Sequence, residues 1–168
     1  MLSVVIETKN DEEDLARTLA SLVSAAVEGM VREVIVCDLG STDRTHQIAD
    51  EAGCVWLPSG GAAEGVRRAK SDWLLFLEPG ATLVDGWMDS VARHISRVTM
   101  AGRFSRASKA RTPFKKRIFA GNRALVEGLL ITRRQASSLS RNGQDGEAIA
   151  RGLATKRLDG EIVPASRK

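Results

Sequence analysis

A repeated rhythm constrains this chain more than any other feature: a short, apolar, β-rich run, a turn, an amphipathic stretch, then another apolar run. Leu2–Ile6, Val34–Cys37, Cys54–Leu57 and Trp73–Leu77 are the runs. Their length and composition are those of strands buried on both faces. Between the first two, Leu15, Leu19, Leu22 and Val23 supply the stripe of a helix running to about Val27. Arg44–Ala52 and Ala62–Ala69 fill the next two gaps with helical patterns. Strand, helix, strand, helix, strand is a right-handed βαβαβ unit on a parallel sheet. The expected fold class is α/β with a mostly parallel central sheet.

The remaining elements follow from local signals. Asn10 with Glu13 three residues on has the spacing of a capping box, and Thr132 with Gln135 has it again. Val84–Ile95 resumes helical spacing through Trp87, Val91 and Ile95. Gly128–Ile131 and Glu161–Val163 read as strands, Glu147–Leu153 as a helix, and Asn142–Gln144 as a turn. The segment after Arg97 reads mostly as loop with short helix or strand pieces. Residues 165–168 are expected to fray. At 168 residues the chain is expected to be one domain that buries roughly 70% of its unfolded surface.

Several function classes are disfavoured at this stage. No apolar run approaches the ~20 residues of a membrane span. The N-terminus enters Leu2–Ile6 without a basic n-region or small-residue cleavage site, so a cytoplasmic protein is expected. Cys37 and Cys54 lack metal-ligand spacing and are expected to be reduced. His46 and His94 are isolated, which argues against zinc. After the first strand stands Glu7-Thr8-Lys9-Asn10 rather than a glycine-rich dinucleotide fingerprint. Gly60 to Gly65 has phosphate-loop separation, but Val66 replaces the required lysine.

Charge is distributed unevenly. From Ser90 to Val126 there is no acid, while Arg93, Arg97, Arg103, Arg106, Lys109, Arg111, Lys115, Lys116, Arg117 and Arg123 are all basic. Such a run either is a solvated loop or favours phosphates, whether on nucleotides or on an anionic membrane surface reached by Arg103–Arg117. Nucleic acid is disfavoured, because only Phe104, Phe114 and Phe119 interleave with these cations and the chain has no tyrosine.

The second strand ends at Asp38, and Gly40-Ser41-Thr42-Asp43 turns the chain into the next helix. An acid at the carboxyl end of a parallel strand sits where open α/β sheets bind ligands. Either Asp38 accepts from a base or a ribose hydroxyl, or it only shapes its own turn.

Three segments together, Ser3–Glu12, Glu33–Asp43 and Trp73–Leu77, resemble the family-2 glycosyltransferases of GT-A fold. The resemblance continues more weakly through Gly128–Arg134 and Asp145–Leu153. It implies a three-layer α/β/α domain, with residues 1–98 as the nucleotide-binding half and 99–168 as the basic loop and acceptor side. It also implies that a nucleotide-diphospho-sugar donates its sugar to a lipid or glycan acceptor with inversion. Carried over, Thr8, Asn10 and Asp38 would hold the nucleoside, with Arg67, or alternatively Arg68, also meeting the nucleotide. Glu78 would be a ligand for a divalent cation, Mg²⁺ or Mn²⁺, on the diphosphate, and Asp145 the base that deprotonates the acceptor. The expected location is the cytoplasm, with peripheral contact at the inner membrane face.

The chain departs from the family pattern at several positions. Glu7 stands where proline is usual, Lys9 where an aromatic stacks on the base, and Leu39 in the second place of an acidic pair. Glu78-Pro79-Gly80 replaces Asp-X-Asp, so one carboxylate remains for a cation that wants several oxygens. Ungapped alignment of the late helix puts Gly146 at the base position, and a one-residue shift restores Asp145. Either Asp145 is that base, or Asp145 and Glu147 only complement the helix dipole at its N-terminus. The alternative to a transferase is a degenerate relative that binds a nucleotide, an anionic lipid or a protein without catalysis.

Overall fold

The structure, a computed structural model, describes residues 1–107, 123–140 and 145–166. The expectations for Lys109–Arg117, for the turn at 142–144 and for the last two residues lie outside that range. Four strands, β1 (Leu2–Thr8), β2 (Val31–Asp38), β3 (Val55–Leu57) and β4 (Trp73–Leu77), form a parallel block in the order β3-β2-β1-β4. Their carboxyl ends therefore line one edge. The sheet continues through β7 (Leu129–Thr132), β6 (Gly102–Arg106), β8 (Lys156–Val163) and β5 (Thr82–Leu83). Pairing there is antiparallel for β4–β7, β6–β7 and β5–β8 and parallel for β6–β8.

Side-chain alternation along the strands builds two cores. Leu2, Val4, Ile6, Leu75 and Leu77 face α1 (Glu12–Ala20), α3 (Thr45–Glu51) and α5 (Trp87–Arg97). Val5, Ile35, Cys37, Leu74 and Phe76 face α4 (Gly61–Arg68), α6 (Arg133–Leu139) and α7 (Gly146–Ala150). This is the expected three-layer α/β/α arrangement.

Helix α4 lies unusually close to the sheet. A Cβ placed on Gly65 would come 2.8 Å from both Cys37 Sγ and Val5 Cγ1. Because both neighbours are themselves buried in the sheet, Gly65→Ala is expected to destabilise the protein by about 1–3 kcal/mol through overpacking. Urea unfolding checks this, and an unchanged midpoint would contradict the close approach. Both cysteines are free, and burial pushes the Cys37 thiol up to about 12 and the Cys54 thiol to about 11.

Three expectations change. The first helix does not run unbroken to Val27: it stops at Ala20, and α2 (Val23–Val27) follows. Ser21 Oγ bonds back to the Thr18 carbonyl, and the Leu22 amide reaches Leu19 rather than Thr18, which tightens the turn. Asn10 is not the cap of α1. It adopts φ 56°, and its Oδ1 accepts from the Thr42 amide at 2.7 Å. The amides of Asp11 and Glu12 go instead to Thr45 Oγ1 and Asp43 Oδ2, while Glu12 Oε2 accepts from the Arg44 amide. Two helix starts thus cap each other, and the Thr45 hydroxyl holds the Asp43 carboxyl below its ordinary value. Finally, β6 emerges from a stretch read mainly as loop, and β8 is eight residues rather than three. The second capping box forms as expected at Thr132 and Gln135.

Candidate functional site

The carboxyl edge of the parallel block carries two adjoining groups of polar residues. The first is built where β1 and β2 end in register, Thr8 opposite Asp38. Thr8 and Asp38 are buried, and Asp38 is 5% exposed. The Asp38 carboxylate accepts from the Gly40 amide at 3.2 Å, the Ser41 amide at 3.0 Å and the Ser41 hydroxyl. Thr8 Oγ1 donates to Asp11, and the Asn10 amide donates to Ser41 Oγ at 2.9 Å. Thr8, Asn10 and Asp38 therefore come together, with Asn10 joining the two loops through Ser41 and Thr42 and Asp38 holding its own turn. A carboxylate offers about four acceptor positions. Three donors from its own turn leave Asp38 about one for a further partner.

The second group lies around a cleft of about 290 Å³ lined by Glu7, Asp14, Glu78, Arg123 and Glu147. Glu7, the last residue but one of β1, reaches across its floor. Its Oε1 accepts from the Ala62 amide at the start of α4, and its Oε2 from the Gly146 amide at the start of α7. Glu147 accepts from the amides of Ala124 and Leu125. Arg103 donates to the Ala124 and Ala150 carbonyls at 2.6 and 2.7 Å. These residues fix the segment that carries Arg123, whose Nη2 lies 3.6 Å from Glu78 Oε2.

Glu78 directly follows β4, and its Oε2 is buried without a hydrogen bond. Desolvation pushes its carboxyl above the ordinary value of 4.5. Arg123 opposes that push and Glu147 adds to it. A carboxyl raised in the folded state binds its proton more tightly there than when unfolded. Its favourable contribution is fully present below pH 4.5 and is lost as pH rises through the raised value. Glu78→Gln is therefore expected to gain stability over the native protein near neutrality, with the gap closing on acidification. Denaturation midpoints measured between those limits check the sign; a gap that widens in acid would contradict it.

The divalent cation implied by the resemblance does not fit these residues. Such a cation takes six or more oxygens, or an octahedral set rich in carboxylate and phosphate. Glu7 and Glu147 have given their oxygens to backbone amides, and a guanidinium stands beside Glu78. No group of three or more His, Cys, Asp or Glu suited to a metal occurs among the described residues.

Arg67 and Arg68 lie elsewhere. Arg67 pairs with Glu64 on the last turn of α4. That turn leads to Ala69, whose carbonyl accepts from Arg133 beside the amino end of β4, away from the cleft. Arg68 is exposed on the same turn. Asp145 is the N-cap of α7 and accepts from the Ala148 amide at 2.7 Å. Arg106 pairs with Glu127, so the described part of the basic run is largely spent on internal contacts. Sequence reasoning missed the bridging role of Glu7 and the clamp around Arg123. Glu7 could have been suspected as an acid placed where the family pattern has proline.

An α/β/α domain whose parallel strands end at a polar cleft, with an antiparallel extension beside it, is the architecture of GT-A glycosyltransferases. The chain belongs to the family Glycosyl transferase family 2, whose profile it matches over residues 3–144. Among solved structures it is similar to glucosyl-3-phosphoglycerate synthase from Mycobacterium tuberculosis in complex with Mn²⁺, uridine diphosphate and glucosyl-3-phosphoglycerate. That likeness has a TM-score of 0.63 at 18% identity and covers 100% of this chain and 73% of the other. It is also similar to S. aureus TarS, with a TM-score of 0.67 at 17% identity over 94% of this chain and 57% of that one. Both likenesses are of fold. A TPR repeat-containing protein of Synechococcus elongatus is 34% identical over 96 residues, 52% of this chain. The match spans 23% of that relative's length. No helix among the described residues is long and apolar enough to cross a membrane.

Proposed function

We propose that the carboxyl-edge cleft binds a nucleotide-diphospho-sugar and transfers its sugar, with inversion, to a hydroxyl of a lipid or glycan acceptor. The observation that carries this reading is the adjacency of two groups on one sheet edge. Thr8, Asn10 and Asp38 stand on the β1 and β2 loops, and Glu78 with Arg123 stands in the cleft after β4. The family membership supports it independently. The solved relative from M. tuberculosis holds uridine diphosphate.

In this reading the ribose or base meets the Thr8–Asn10–Asp38 loops, and the diphosphate reaches toward Glu78 and Arg123. The acceptor oxygen attacks the anomeric carbon, the bond from that carbon to the diphosphate breaks, and the electron pair leaves with the nucleoside diphosphate. The acceptor's proton passes to Asp145, one of whose oxygens caps α7. Association with an anionic membrane surface through Arg103–Arg117 would bring a lipid acceptor within reach, each available cation adding about 1 kcal/mol.

The test is turnover of uridine- and guanosine-diphospho-sugars by the purified protein, followed as nucleoside diphosphate release and sugar transfer. Asp145→Asn is expected to lower turnover by about 10²–10⁴-fold with donor affinity retained. Failure to consume any such donor, alone or with lipid and glycan acceptors, would contradict the reading.

A further inference from the structure

We infer that Arg123 takes the place of the divalent cation in this chain: its guanidinium binds the donor diphosphate, and that binding needs no metal. The inference rests on the nucleotide-sugar reading above and narrows it to one residue.

Arg123 has the geometry of a ligand-binding cation held ready. The backbone directly after it is pinned, by Glu147 on the amides of Ala124 and Leu125 and by Arg103 on the carbonyl of Ala124. Its side chain is 40% exposed and lines the cleft. The only ion pair it makes among the described residues is the one with Glu78, at 3.6 Å, beyond hydrogen-bond length. Among the described residues its fork of donors is therefore left available, and a guanidinium matches phosphate oxygens in pairs. Arg103, by contrast, is committed to two carbonyls, and Arg106 to Glu127.

The surroundings also select a fixed cation over a mobile one. A divalent ion entering the cleft would have to displace Arg123 from Glu78 and would find the oxygens of Glu7 and Glu147 already turned to amides. A diphosphate needs donors rather than vacant oxygens, and the guanidinium supplies them. It takes the guanidinium from Glu78, so the two anions compete for one cation. Removing the negative charge at Glu78 should accordingly strengthen binding.

Calorimetry with uridine diphosphate, guanosine diphosphate and inorganic pyrophosphate, each in EDTA and in Mn²⁺, tests this. The native protein is expected to bind a nucleoside diphosphate in EDTA, with Mn²⁺ changing the affinity less than about threefold. Arg123→Gln should weaken it by about ten- to a hundredfold, the range for a charge-assisted hydrogen bond. Arg123→Lys should recover part of the loss, and Glu78→Gln should tighten binding. Melting temperatures unchanged for the two arginine variants, and no lower than native for Glu78→Gln, guard against misfolding. Nucleotide binding that appears only with Mn²⁺, or that survives Arg123→Gln intact, overturns the inference while leaving the nucleotide reading standing. Pyrophosphate bound through Arg123 without affinity for either nucleotide upholds the cation's role and overturns the nucleotide reading. Absence of binding by all three probes overturns both.

Discussion

Glu7→Ala is expected to cost about 2–4 kcal/mol of stability, the largest loss of any single substitution at the candidate site. One carboxylate here joins three elements that are far apart in the chain: the end of β1, the start of α4 and the start of α7. Each bond is from an amide at a helix start, where backbone donors have no partner within their own helix. Hydrogen bonds to a charged group contribute about 1.5–3 kcal/mol each, and water reaching a half-buried site offsets part of the loss. For a chain of this length the effect corresponds to roughly 4–16 °C in melting temperature. Glu7→Gln retains one good acceptor and should lose about half as much. Since α7 carries both Asp145 and Glu147, the alanine variant should also loosen the clamp on Arg123 and weaken nucleotide binding. A melting temperature within about 1 °C of the native value would show that the bridge is not formed in solution.

The second large effect is expected at Asp38. Asp38→Ala leaves the amides of Gly40 and Ser41 without their acceptor at a buried position and should cost about 2–3 kcal/mol. Asp38→Asn is more informative, because it keeps an acceptor for the turn while removing the charge that a ribose hydroxyl would meet. If Asp38 also holds the nucleoside, the asparagine variant should bind uridine diphosphate about tenfold more weakly, with inorganic pyrophosphate unaffected. If Asp38 serves only its own turn, stability falls and the affinity for both probes stays level. Thermal unfolding and calorimetry on the same preparation separate the two outcomes.

What could be read from the sequence, and what could not, follows from the range of the interactions involved. Trp73–Leu77 was legible to the residue because an apolar run bounded by proline and glycine reports its own burial. Thr132 and Gln135 were legible because a capping box is closed within four residues. The same local pattern misled at Asn10, where Asp43, Ser41 and Thr45, about 30 residues on, captured the groups that the local cap would have used. β6 was hidden because Arg103 and Ser105 alternate with Gly102 and Phe104, and the charges of Arg103 and Arg106 masked a strand whose inner face is Phe104.

The candidate site divides the same way. Asp38 was visible as an acid at a strand end, and Thr8, Asn10 and Glu78, at or just past strand ends, through the family resemblance. Arg123 was one cation in a run of ten, and nothing in the run distinguished it. The approach of β7 to β4 brings it beside Glu78, and Glu147, from a helix more than twenty residues later, holds it there together with Arg103. Position along the chain could not reveal a pairing made by the sheet.

A crystal soaked with uridine diphosphate in the absence of any divalent ion puts the central claim to its most direct trial. Nucleoside density against the Thr8–Asn10–Asp38 loops, with phosphate oxygens within about 3 Å of the Arg123 guanidinium, is the predicted result. Density only away from these loops, or a diphosphate that orders only after Mn²⁺ is added and bridges to Glu78, would contradict it.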